Sequence, residues 1–221
     1  MLSHIGRWAG LGASALLTAT GLLVSPHTAP VASADDCPDV EVIFARGTNE
    51  PPGLGHVGDA FVDSLRQQTG GMKFDTYGVN YAASKLQLHG GDGANDTINR
   101  VKQAVAKCPS TKIVLGGYSQ GSTVIDLATA AVPPSVADHV AAVALFGEPS
   151  SGFSSMLWGG QPLPGISPQY AGKTISLCAP DDPICSPGGN IMAHVSYIQA
   201  GMTNQAATFA ANKLGSARQN T

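Results

Sequence analysis

The chain has 221 residues and a mass of 22.5 kDa, with 43% hydrophobic and 12% charged residues; this suits one compact domain with a sizeable core and excludes a disordered chain or a string of modules. A formal net charge of -3 and a pI near 6.0 leave no basic field to attract nucleic acid or an anionic membrane surface. The 27 Gly and 15 Pro are scattered without a period, which predicts many turns between short elements.

Residues 1–34 carry a single basic residue, Arg7, no acidic residue, an apolar run from Trp8 to Val24, and Ala32-Ser33-Ala34 before Asp35. This is the pattern of a secretory signal with a small-x-small cleavage site. Cleavage after Ala34 removes 34 of the 221 residues and one of the 12 basic side chains, leaving a domain of 187 residues, 35–221, with 11 basic and 15 acidic side chains and a net charge of -4. No later stretch is apolar for long enough to span a bilayer, so the processed form is expected to be exported and to carry no membrane span. Cys37, Cys108, Cys178 and Cys185 remain, an even number that reads as two disulfides in an exported chain. Spacing favours Cys178 with Cys185 across a Pro-rich turn, leaving Cys37 with Cys108. By loop-closure entropy the long bridge stabilises by about 4 kcal/mol and the short one by about 2 kcal/mol. No Cys-x-x-Cys pair or suitably spaced His points to a metal.

The mature chain alternates strands and helices. Val40 to Ala45 is β-rich and ends in Arg46-Gly47-Thr48-Asn49. Val57, Ala60, Phe61 and Leu65 repeat at helical spacing until Gly70-Gly71 stops them. A second strand is predicted over Phe74 to Tyr81, then a Gly-rich loop at His89 to Gly93, then a helix from Ala94 to Lys107 with the stripe Ile98, Val101, Val105. Ile113-Val114-Leu115 reads as a buried strand that runs into Gly116-Gly117-Tyr118-Ser119-Gln120-Gly121 and a helix through Val124, Ile125, Leu127 and Ala128. Val140 to Phe146 and Lys173 to Leu177 are further strands, and a last helix is predicted over Ser196 to Lys213. Near-continuous apolar strands alternating with helices predict a parallel sheet covered on both faces, a three-layer α/β domain.

Gly117-Tyr118-Ser119-Gln120-Gly121 fits the G-x-S-x-G nucleophile elbow. In so Gly-rich a chain the pattern alone is weak, and a plain strand-to-helix turn or a phosphate-binding turn would also fit. The apolar strand before it and the helix after it make it specific, because that turn lifts a serine hydroxyl above the sheet edge. A serine needs a base and the base needs an orienting acid, in the chain order Ser, acid, His. Only His139 and His194 follow Ser119. His139 enters a strand at the wrong end of a parallel sheet, so His194, in the loop before the last helix, is the expected base. Glu148, Asp181 and Asp182 are the acid candidates; the two Asp lie inside the Cys178 to Cys185 loop, where a bridge would fix the carboxylate, and sequence physics does not separate them. The oxyanion donors expected are the N–H of Gln120 and a group at Gly47-Thr48.

These residues resemble the cutinases, most closely the mycobacterial cutinase-like proteins, through Phe44-Ala45-Arg46-Gly47-Thr48, the Gly116 to Gly121 elbow, and Cys178-Ala179-Pro180-Asp181-Asp182-Pro183-Ile184-Cys185 with His194 downstream. The resemblance spans essentially the whole mature chain. It implies a small α/β hydrolase with a central five-stranded parallel sheet, a Ser-His-Asp triad and no lid domain. It also implies the cysteine pairing above and Asp182 as the acid, with Thr48 standing where the family often has Ser. The implied activity is hydrolysis of short- to medium-chain carboxylic esters, lipid or polyester-like, by a secreted or wall-associated enzyme without cofactor; a monomer is expected. An acetylxylan-type esterase, or a non-catalytic surface-binding protein with the same fold, is the alternative. Phe153 to Leu163 and Ile191-Met192 are apolar loop segments that could line an acyl groove, although Leu157 and Trp158 could equally cap the core. Asn95-Asp96-Thr97 is a glycosylation sequon at a helix start, and His56 and His89 read as surface residues.

Overall fold

The computed structural model describes residues 37–84 and 90–219; the expectations for residues 1–34 and for His89 fall outside the described residues. Five strands, β1 (Val40–Ala45), β2 (Phe74–Gly78), β3 (Lys112–Tyr118), β4 (Val140–Phe146) and β5 (Thr174–Leu177), form one all-parallel sheet in the order β2-β1-β3-β4-β5. Helices α1 (Gly55–Gln68), α2 (Gly91–Lys107), α3 (Gln120–Ala131), α4 (Pro134–Ala137), α5 (Gly152–Leu157) and α6 (Met202–Gln219) connect or follow them.

Successive strand side chains point to opposite faces, and β1 shows the result. Val40, Val42 and Phe44 join a core with Phe61 and Leu65 of α1 and Ala206, Ala207, Ala210 and Leu214 of α6. Ile43 and Ala45 join a second core with Val101 of α2 and Val124 and Ile125 of α3. Both faces are therefore dry, which is why β1, β3 and β4 read as largely apolar runs; the buried exception in β1, Glu41, is paired with Arg100 of α2. The chain moves from β1 outward to β2, then returns to β3 on the other side of β1, so a crevice opens between the carboxyl ends of β1 and β3. Such switch points are where open α/β sheets bind ligands.

Four boundaries differ from the sequence reading. β2 stops at Gly78, because the Val79 and Tyr81 carbonyls turn to the Arg46 guanidinium instead of a sheet neighbour. α2 starts at Gly91, after Gly90 in a left-handed conformation. The last helix starts at Met202 and not Ser196, since Gly201 at φ +70° interrupts the preceding turns, and it runs on to Gln219. Part of the expected Phe153 to Leu163 loop is helix α5, nucleated by Ser151, whose hydroxyl accepts the Ser154 N–H at its N-terminus. Both disulfides, Cys37–Cys108 and Cys178–Cys185, are formed as the spacing suggested. Among the described residues no helix is long and apolar enough to cross a membrane.

Candidate active site

β3 delivers Ser119 at φ +54°, ψ -120°, a backbone conformation that non-glycine residues rarely adopt. The surroundings hold it there: the Ser119 N–H donates to the Phe146 carbonyl at 2.8 Å, and the Ser122 hydroxyl donates to the Gly117 carbonyl at 3.0 Å. The two elbow glycines are demanded by close approach. A Cβ on Gly121 would strike the Ala45 carbonyl of β1, and one on Gly117 would lie 2.5 Å from the Gly121 oxygen. The turn thus lets α3 start directly over the ends of β1 and β3. Gln120 opens that helix, so its N–H belongs to the first turn, where amides have no intrahelical partner and the helix dipole is positive.

His194 sits in a short 3₁₀ turn (Ala193–Val195) and reaches the elbow from the β5 side. Its Nε2 lies 2.8 Å from Ser119 Oγ and its Nδ1 2.7 Å from Asp182 Oδ2. Asp182 is fully buried in the disulfide loop after β5, while Asp181 is exposed at φ +67°, so the structure separates two acids that only the family resemblance had told apart. Burial alone would raise the Asp182 pKa. Hydrogen bonds from His194, from the Tyr197 hydroxyl and from the Ile184 N–H outweigh it and hold the carboxyl below its ordinary value. An ionised carboxylate only accepts, so the imidazole carries its proton on Nδ1 and offers the Nε2 lone pair to the serine hydroxyl. That arrangement can take the Ser119 proton as the oxygen attacks a carbonyl carbon.

Thr48 follows β1 and faces Ser119 across the crevice. Its hydroxyl donates to Gln120 Oε1 at 2.9 Å, and Gln120 Nε2 donates to the Ser84 carbonyl at 3.3 Å. The loop beneath Thr48 is fixed by buried Arg46, whose guanidinium donates to the Glu50, Val79 and Tyr81 carbonyls at 3.0, 3.2 and 2.7 Å. Tyr81 returns a hydrogen bond to the Arg46 carbonyl. His139 lies at the opposite end of β4, as expected, and Glu148 accepts from the Ser176 hydroxyl of β5 at 2.5 Å, while it is Asp182 that meets the imidazole.

A cavity of about 480 Å³ opens over this group of residues. Ser119, His194, Thr48 and Gln120 form one wall, and Phe153, Leu157, Trp158, Leu163, Ile184 and Ile191 form the apolar remainder. Leu157 and Trp158 therefore line the groove and are not core caps. Met156 and Met192, the chain neighbours of the lining residues Leu157 and Ile191, are 65% and 67% exposed. The sequon lies at α2, where its Thr97 is buried and donates to the Gly93 carbonyl.

Two aromatic residues that sequence reasoning missed lie against the imidazole. Tyr118 stacks on the His194 ring at 5.2 Å between centroids and donates to the His194 carbonyl at 2.6 Å. Tyr197 meets the ring edge-on at 6.3 Å. Only the first x of the elbow and the third position after the histidine mark them, and neither spacing carries a chemical requirement of its own.

A family model described as Cutinase matches residues 36–214. Carboxylesterase Culp1 of Mycobacterium tuberculosis is 63% identical over 198 residues, covering 89% of this chain and 91% of the relative. Phospholipase Culp4 of the same organism is 49% identical over 229 residues, covering 96% and 97%. Among solved structures, a Trichoderma reesei cutinase in complex with a phosphonate inhibitor aligns with a TM-score of 0.66 at 34% identity, over 80% of this chain and 77% of that one. An acetylxylan esterase aligns with a TM-score of 0.67 at 27% identity, over 80% and 99%. The chain belongs to the cutinase family and is a carboxylic ester hydrolase.

Proposed function

We propose that this hydrolase is a secreted serine esterase acting as a monomer on short- to medium-chain carboxylic esters of lipid or polyester type. In this reading residues 1–34 are a signal removed on export, and residues 35–221 are the working domain. Ser119 attacks the ester carbonyl while His194 takes its proton, and Asp182 holds the imidazole in the required tautomer. The Gln120 N–H and Thr48 stabilise the oxyanion. His194 then protonates the leaving alcohol, and water, deprotonated by the same imidazole, cleaves the acyl-enzyme.

One observation carries the reading: the 2.8 Å and 2.7 Å contacts that join Ser119, His194 and Asp182 at the wall of an apolar cavity. That lining supports an acyl chain longer than acetate, and the phospholipase relative supports a lipid-like substrate over a sugar acetate. Hydrolysis of nitrophenyl esters from acetyl to palmitoyl, by the purified protein and by Ser119→Ala, tests it. We expect an optimum beyond acetyl and a loss of about a thousandfold or more in the variant. An optimum confined to acetyl would favour the sugar-acetate reading, and unchanged activity in Ser119→Ala would refute the serine mechanism.

A further inference from the structure

We infer that Tyr197 is a positioning residue of the hydrolytic site, whose hydroxyl shares the Asp182 oxygen with the imidazole and thereby sets how strongly Asp182 pulls on His194. This rests on the Ser119, His194 and Asp182 reading above.

The direction of the hydrogen bond follows from its neighbours. The Ala179 N–H donates to the Tyr197 oxygen at 3.2 Å, so the phenolic hydrogen points elsewhere. Two acceptors lie within reach: Asp182 Oδ2 at 2.6 Å and Cys185 Sγ at 3.5 Å. Cys185 is bonded to Cys178 and has no proton to give, and a disulfide sulfur is a poor acceptor beside a buried carboxylate. The phenol therefore donates to Asp182. On that carboxylate, Oδ1 accepts the Ile184 N–H at 2.9 Å, and Oδ2 accepts both the phenol and the imidazole Nδ1–H. Two donors on one oxygen compete: the stronger the phenol's bond, the less negative charge is left to stabilise an imidazolium.

The ring's placement is equally constrained. Tyr197 is fully buried, edge-on to Phe146 at 6.1 Å and to Tyr118 at 5.7 Å. Gly147, at φ +58°, has no room for a Cβ, which would come within 2.9 Å of both the Tyr197 oxygen and His194 Cε1. Position 147 thus lets phenol and imidazole meet the acid side by side. Among the described residues, the titratable groups facing the pair are His194, Tyr118 from β3 and Asp182 itself; Phe146 at the end of β4 and Gly147 after it bring no charge, and Glu50 acts at longer range on Tyr118.

The test is the pH profile of kcat/KM on a nitrophenyl butyrate substrate. Tyr197→Phe keeps the ring and removes only the hydroxyl. We expect its acid limb, where the imidazole loses its free lone pair, to move to higher pH by about half a unit or more, because a hydrogen bond to a charged group is lost and part of that loss passes to the imidazole. On the limb this is about a threefold loss relative to wild type, with the alkaline plateau changed less. Tyr197→3-fluorotyrosine, a more acidic phenol in nearly the same space, is expected to move the limb the other way, and it alone decides the matter if the Phe variant does not fold. An acid limb that stays in place in the folded variants, or a loss equal at every pH, overturns the inference while Ser119→Ala remains inactive. Retained activity in Ser119→Ala would instead overturn the parent reading, and the inference with it.

Discussion

Asp126 supplies the sharpest stability prediction. It lies on the inner face of α3, 1% exposed, and among the described residues neither carboxyl oxygen has a partner at hydrogen-bonding geometry. Burial first, then the nearby Glu148 charge and an approach to Glu148 that falls short of good hydrogen-bond geometry, push its pKa to about 9 from 3.8. The folded protein therefore keeps a proton on Asp126 at neutral pH that the unfolded chain has released. A group with a raised folded pKa stabilises fully below its unfolded value, and that stability is lost as pH rises toward the folded one. At pH 7 the loss has run over about three pH units, a ceiling of about 4 kcal/mol at about 1.4 kcal/mol per unit.

Asp126→Asn keeps the shape and carries no charge in either state, so this slope disappears. The amide brings two N–H donors into a pocket with few acceptors, and a buried unmade hydrogen bond costs about 1–3 kcal/mol. The variant should therefore match or fall below wild type at pH 4 and exceed it by about 1–3 kcal/mol at pH 7 to 8, with each kcal/mol worth about 2–4 °C in Tm for a domain of this size. Thermal unfolding of both proteins by circular dichroism at four pH values from 4 to 8.5 measures the difference, and all other titrations cancel in it. A gap in Tm that is constant with pH, or one that turns against Asn as pH rises, would show that Asp126 is ionised in the fold and refute the reasoning.

Two further predictions concern the parts that hold the site. Replacing Cys178 and Cys185 together by Ser should cost about 2 kcal/mol of stability by loop closure, yet lower kcat/KM by more than that loss of folded population implies, since the loop also fixes Asp182; equal losses would show that the loop holds its shape unbridged. Thr48→Val keeps the volume and removes the hydroxyl that now donates to Gln120 Oε1. Oxyanion donors are worth about a hundredfold or more in kcat, so a drop of that order with little change in KM is expected, whereas an unchanged kcat would leave the oxyanion to backbone donors.

How much of this was legible in the sequence depended on whether the determinant was local. The apolar runs of β1, β3 and β4 and the elbow glycines announced themselves, because a doubly buried strand and a strand-to-helix turn each impose their own composition. Chain order left His139 and His194, and the strand end at which His139 sits singled out His194. Without the family resemblance Asp181 and Asp182 could not be separated, since both sit beside prolines in the same constrained loop; what divides them is Asp181 at positive φ on the surface, with its carbonyl accepting the Asn190 N–H, while Asp182 turns inward to three donors. Tyr197 and Asp126 were invisible for the same reason. Each acts through a neighbour distant in sequence, and neither breaks a periodicity.

The serines after β4 carry the same logic to the substrate side. Ser150 and Ser151 place their N–H groups on the Ile184 carbonyl at 3.1 and 3.2 Å, and the Ser154 hydroxyl donates to that carbonyl at 2.7 Å. The Ser150 and Ser151 hydroxyls donate to the Cys185 and Pro183 carbonyls at 3.1 and 2.5 Å. Helix α5, which presents Phe153 and Leu157 to the cavity, is thus stitched to the loop that contains Asp182. A six-residue helix is too short to stand on its own hydrogen bonds. Its position is borrowed from the disulfide loop, so the apolar wall proposed to receive an acyl chain and the carboxylate proposed to orient His194 share one support, and on that reading a change that loosens the loop must disturb binding and chemistry together.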